Sequence, residues 1–87
     1  MAPAAQVSGQ SYDAIRGWLV ETIAGELNVP VQKIGTDEEF TNLGLGSRQA
    51  ILITGDLETF LNCGELDPSL LWDYPTIDKL ARHLASQ

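Results

Sequence analysis

Ser47, Cys63 and His83 are the side chains whose type and position bear most directly on chemistry. Ser47 ends the run Phe40-Thr41-Asn42-Leu43-Gly44-Leu45-Gly46-Ser47, where a glycine-broken loop meets an apolar-periodic helix. The first turn of a helix presents unpaired N–H groups and the positive end of the macrodipole, so a phosphodiester on this hydroxyl sits where an anion is favoured. The simpler alternative is that Ser47 only caps the helix. A Ser-His-acid hydrolase is disfavoured, because Ser47 lacks the Gly-x-Ser-x-Gly elbow and a helical bundle offers no oxyanion pocket. Cys63, beside a helix end, reads as a small inert apolar residue. His83 falls near the end of the last helix, where partial positive charge is welcome, and reads as structural. One Cys and one His far apart give no zinc spacing. Asp37-Glu38-Glu39 and Asp56-x-Glu58 lack the alternating ligands of a calcium loop. No metal site and no catalytic residue is expected.

The elements that position Ser47 follow from periodicity. Ile15, Leu19, Ile23 and Leu27 recur at four-residue steps after Ser11, with Trp18 flanking them and Asp13 near the helix start, predicting a first long helix that Asn28 and Pro30 stop. Residues 29–45 form a long connection, anchored by Val31, Ile34, Phe40 and Leu43, with Gly35, Gly44 and Gly46 allowing turns. The second long helix spans Ser47 to Leu61, its core face made by Ala50, Ile53, Leu57 and Leu61 with Thr54 and Phe60 at the margins. Asn62, Cys63 and Gly64 end it, the glycine suited to the left-handed position. Asp67-Pro68 starts a short helical segment through Trp72, Pro75 breaks it, and Thr76 caps a last helix facing Ile77, Leu80, Ala81 and Leu84 inward. Trp18 and Trp72 are expected at the core or its edge. No alternating strand pattern appears, so the fold class is all-α, a four-helix bundle with one short helix.

Length and charge bound the rest. With 87 residues the chain has room for one domain, and 44% apolar with 20% charged residues is ordinary globular composition. Residues 1–10 read as linker, suggesting excision from a larger polypeptide, and 11–87 as the domain. Twelve acidic against five basic side chains give a net charge of −7, which opposes binding to nucleic acid or an anionic membrane. A single cysteine, no signal-like leader and no membrane-length apolar run imply a cytoplasmic setting, with the isolated domain a monomer.

The Phe40 to Ile51 stretch resembles the attachment motif of acyl and peptidyl carrier proteins, in which an aromatic residue, then Leu-Gly, then a Gly-Ser or Asp-Ser pair, precede a helix. Leu71-Trp72-Asp73-Tyr74-Pro75-Thr76-Ile77 is similar to the ending of carrier domains from multimodular synthases, and the likeness extends from about Ser11 to Leu84. The Gly-Leu-Gly-Ser-Arg start, Gly55-Asp56-Leu57-Glu58 and the Leu-Trp-Asp-Tyr-Pro ending look like polyketide-synthase carriers that follow fatty acyl-AMP ligase modules. The resemblance implies carriage, not catalysis. Ser47 would bear 4'-phosphopantetheine, delivered from coenzyme A by a phosphopantetheinyl transferase and charged by an acyl-loading ligase or acyltransferase. Synthase catalytic domains would then meet a face made by Arg48, Ile51, Leu52 and Gly55, although exposed aliphatics are also ordinary on a small bundle. Gly55 in mid-helix costs about 1 kcal/mol relative to Ala, implying close packing or room for a partner. Many carriers of the fatty-acid type have Asp before the serine, Leu after it and acidic residues along this helix. Gly46, Arg48 and Leu52 depart from that pattern, so partner identity does not carry over from them. Asp56 and Glu58 remain available to basic partners or form a solvated face. A peptidyl carrier and a plain interaction bundle are the alternatives.

Overall fold

Ser11 is extended, and its hydroxyl accepts the Ala14 N–H at 3.1 Å, which starts α1 at Tyr12–Leu27. A computed structural model describes residues 11–62 and 64–86; the linker expected at 1–10 and the assignment of Cys63 lie outside the described residues. Asn28 closes α1 in the left-handed conformation, φ 60°, its N–H returning to the Ala24 carbonyl. Ile15, Leu19 and Ile23 are buried as their spacing predicts, but Ala24 completes the buried face while Leu27 is only half-buried.

The connection after α1 contains a 3-10 turn, Val31–Lys33, and a four-residue helix, α2, Phe40–Leu43, which periodicity alone does not predict. Ile34 and Phe40 anchor it as expected. Val31 does not: it lies in the turn directly after Pro30 and is 45% exposed. Leu45 is buried instead, because Gly44, at φ 98°, reverses the chain and turns Leu45 toward the core. Gly35 and Gly46 have no positive φ, so the left-handed requirement in this connection rests on Gly44.

The long helix α3 spans Ser47–Leu61 and buries Ala50, Ile53, Thr54, Leu57 and Leu61. Its left-handed terminator is Asn62, φ 52°, two positions earlier than the expected glycine, Gly64, which is also at positive φ. The Asp67 carboxylate accepts the Ser69 N–H at 2.9 Å before α4, Leu70–Asp73. That bond holds the Asp67 carboxyl below the usual carboxylate range. Leu71 is fully buried while Trp72 is 44% exposed, correcting the expectation for Trp72. A single turn of helix has only one inward face, and Leu71 occupies it. Thr76 accepts the Lys79 N–H at 3.1 Å and starts α5, Ile77–Ala85, which buries Ile77, Leu80, Ala81 and Leu84. Among the described residues there is no strand. The architecture is an all-α bundle of three long helices, α1, α3 and α5, with α5 packed chiefly on α1 and two short helices in the connections. Trp18 stacks on Phe60 at 5.0 Å between ring centroids, joining the margins of α1 and α3.

Candidate functional site

Ser47 is the first residue of α3, and Gly46 before it, extended at φ −99° and ψ 179°, is the N-cap. Capping therefore does not account for Ser47. Its side chain is exposed and its hydroxyl makes no hydrogen bond among the described residues, which leaves the oxygen free for covalent modification. Gly46 has no side chain to cap with. The helix start is held from the other direction: Gln49 Oε1 accepts the Gly46 N–H at 3.1 Å, while the Gly46 carbonyl accepts the Ala50 N–H at 3.0 Å. Periodicity assigns Gln49 nothing. Its signal is the spacing, a Gln three residues past the N-cap, which becomes legible once Gly46 is recognised as that cap.

Buried anchors fix the serine on both sides. Ala50, 1% exposed, follows it, and Leu45, 4% exposed, precedes it. Leu45 donates its N–H to the Phe40 carbonyl at 3.0 Å, and Phe40 donates its own to the Pro75 carbonyl at 2.8 Å. Glu39 forms an isolated antiparallel bridge with Thr76. The two motif stretches of the sequence are thus one structural unit, in which the Pro75-Thr76 segment holds the loop that presents Ser47.

The first turn of α3 carries no acidic residue, and Arg48 stands beside the serine. Its N–H groups at Ser47, Arg48 and Gln49 have no carbonyl one turn earlier within the helix to receive them. An anion on Ser47 Oγ therefore meets the positive helix end and a guanidinium-bearing neighbour, within a chain whose net charge is −7. These residues fit a phosphodiester-linked group.

At 100° per residue, Ile51, Gly55, Arg48 and Leu52 spread over the arc of α3 opposite Ala50, Ile53 and Leu57. Ile51 is 58% and Leu52 50% exposed, and Arg48 and Gly55 are exposed beside them. A Cβ at Gly55 would meet no atom within 4 Å, so close packing is not the reason for glycine there. Asp56 is exposed, whereas Glu58 Oε2 accepts the Leu66 N–H at 2.6 Å and braces the connection to α4.

His83 stacks on Tyr74, ring centroids 4.1 Å apart, as part of the packing of α5 against the α4 connection. Among the described residues no group of three or more His, Cys, Asp or Glu is placed to hold a metal ion, and no helix is long and apolar enough to cross a membrane.

A family profile described as a phosphopantetheine attachment site matches residues 17–84. A phenolphthiocerol/phthiocerol polyketide synthase polypeptide of Mycobacterium tuberculosis is 40% identical over 65 residues, 75% of this chain but 3% of that synthase. A free-standing peptidyl carrier protein from Acinetobacter baumannii is similar in structure, with TM-score 0.82 and 41% identity over 87% of this chain and 94% of that one. An acyl carrier protein from Anabaena sp. PCC 7120 with a variant phosphopantetheinylation-site sequence gives TM-score 0.79 and 38% identity over 87% of this chain and 85% of its own.

Proposed function

The chain belongs to the phosphopantetheine attachment-site family, as a carrier domain of the polyketide-synthase type that tethers acyl groups through covalent 4'-phosphopantetheine, and on that premise we propose that Ser47 is the residue that bears the arm. The observation that carries this is an exposed hydroxyl, without a hydrogen bond among the described residues, at the first position of a 15-residue helix whose first turn lacks acidic residues. In the attachment step a phosphopantetheinyl transferase joins Ser47 Oγ to the pantetheine-side phosphorus of coenzyme A. The pyrophosphate bond breaks, the adenosine bisphosphate half leaves, and the hydroxyl proton passes to a base of the transferase. When attached, the arm supplies a terminal thiol that holds an acyl group as a thioester. The protein's own residues supply a fixed anchor from Leu45 and Ala50, an anion-tolerant helix start, and a face for partners. The domain performs no bond-making of its own in this scheme, and proximity in successive active sites comes from tethering.

Arg48, Ile51, Leu52 and Gly55 form the face that the transferase, a loading ligase or acyltransferase, and synthase catalytic domains contact. A fatty acyl-AMP ligase as the loading partner, a cytoplasmic setting and a monomeric isolated domain belong to the same proposal. The second reading, an aminoacyl cargo, is favoured by the likeness to a free-standing peptidyl carrier.

Incubation with coenzyme A and a broad-specificity transferase is expected to add one phosphopantetheine by mass spectrometry. Ser47→Ala is expected to abolish it, with stability changed by no more than about 0.5 kcal/mol because the side chain is exposed. Modification of that variant, or none of the wild type, sinks the assignment. Charging the product with acyl and aminoacyl donors in parallel separates the two cargo readings.

A further inference from the structure

We infer that Gln49 is a positioning residue for attachment at Ser47. This rests on the assignment of the arm to Ser47. The helix start has no side-chain cap from its N-cap residue, since Gly46 has none to offer. The Gly46 N–H is instead taken by Gln49 Oε1, folded back over the first turn with its side chain half-buried. A Cβ built on Gly46 would stand 3.1 Å from that same oxygen, closer than side-chain carbons ordinarily settle. That oxygen is the far end of a flexible side chain, so a residue with a Cβ at position 46 would move it only slightly.

The bond spans the serine. Gly46 lies on one side of Ser47 and Gln49 two residues beyond it, so tying them fixes the Leu45–Gly46 peptide against the first turn and with it the direction in which the serine hydroxyl leaves the helix. Leu45 and Ala50 pin this short arc from the core side and the Ala50 N–H to Gly46 carbonyl bond ties it along the helix, while Gln49 adds a side-chain tie at the Gly46 N–H. Arg48 is exposed and Ser47 makes no side-chain hydrogen bond there. Loss of the Gln49 acceptor lets the arc sample other conformers, and a partner that needs one of them binds in proportion to its population. The effect falls on the apparent affinity of the transferase for this carrier and spares turnover at saturation.

The test measures phosphopantetheine transfer to the full chain, by initial rates at varied carrier concentration, and hydrogen exchange of the Gly46 amide by NMR. Gln49→Ala is expected to raise the carrier KM about two- to tenfold, the scale of one hydrogen bond, with kcat within about twofold and faster exchange at Gly46. Gln49→Glu keeps an acceptor at the same reach and is expected to restore slow exchange at Gly46. A Gln49→Glu variant whose Gly46 amide exchanges as fast as in Gln49→Ala, or unchanged exchange at Gly46 in Gln49→Ala, overturns the inference. Mass mapping of the modified residue separates this from failure of the Ser47 assignment. Attachment elsewhere overturns both, whereas attachment at Ser47 with unaltered KM in Gln49→Ala overturns only the positioning role.

Discussion

The Tyr12 hydroxyl donates to Asp78 Oδ1 at 2.6 Å, so the first turns of α1 and α5 are tied across 66 residues of sequence. Arg16 Nε meets the same oxygen at 3.1 Å, and the Thr36 hydroxyl donates to Oδ2 at 3.1 Å while accepting from Arg16 at 3.2 Å. The Asp78 N–H also donates to the Thr36 carbonyl at 3.0 Å. One carboxylate thus gathers both terminal helices and the loop that leads to Ser47.

This cluster makes stability depend on acid. The bond from Tyr12, with those from Arg16 and Thr36, holds the Asp78 carboxyl below its ordinary value against the opposing effect of burial, and the same bond pushes the Tyr12 phenol up. A depressed folded-state pKa contributes stability that is fully present above the unfolded value, about 3.9 for Asp, and is lost as pH falls through the lower folded one. Denaturation from about pH 6 down to about pH 2.5 is expected to show wild type and Asp78→Asn converging as acid removes the charge. At neutral pH Asp78→Asn is expected to be less stable by about 1–2 kcal/mol. Parallel curves across that range count against this role.

The two faces of α3 predict opposite outcomes for one chemical change. Leu57 is fully buried, so Leu57→Ala is expected to destabilise by about 2–5 kcal/mol through the cavity it leaves. Leu52, 50% exposed, is expected to tolerate Ala within about 0.5 kcal/mol. Chemical denaturation of the two variants checks this ordering.

The exposed face is expected to matter to partners and not to the fold. Ile51→Glu and Leu52→Glu are expected to retain wild-type helical content yet lower acyl loading of the phosphopantetheine-bearing domain about fivefold or more, because a carboxylate in an apolar contact must be desolvated. Arg48→Glu is expected to slow loading in a manner that fades as salt rises, since an exposed charge is screened over about 10 Å at 0.1 M ionic strength. Gly55→Ala, with open space around the added methyl, is expected to stabilise by about 0.5–1 kcal/mol. A fall in loading for Gly55→Ala identifies that space as a partner's. Unchanged loading in all four variants places recognition elsewhere, with the 29–45 connection the next candidate.

What the sequence determined by itself is the part governed by short-range rules. The phases of α1, α3 and α5, the caps at Ser11 and Thr76, the interruptions at Pro30 and Pro75, and a serine at the start of α3 all follow from helical periodicity and local backbone preference, which act within a turn or two. Tertiary structure decided whatever required distant segments to meet or compete for space. Leu45 is buried beyond a left-handed Gly44 while Val31 stays exposed, and in α4 the core takes Leu71 and leaves Trp72 outside. The Phe40 to Pro75 hydrogen bond and the Glu39 to Thr76 bridge joined two motifs that local reading treats separately, and Asp78 found Tyr12, Arg16 and Thr36 in the same way. Periodicity identifies the face a helix buries; the partner it meets, and the loop residues that fill the remaining space, depend on packing summed over the whole chain.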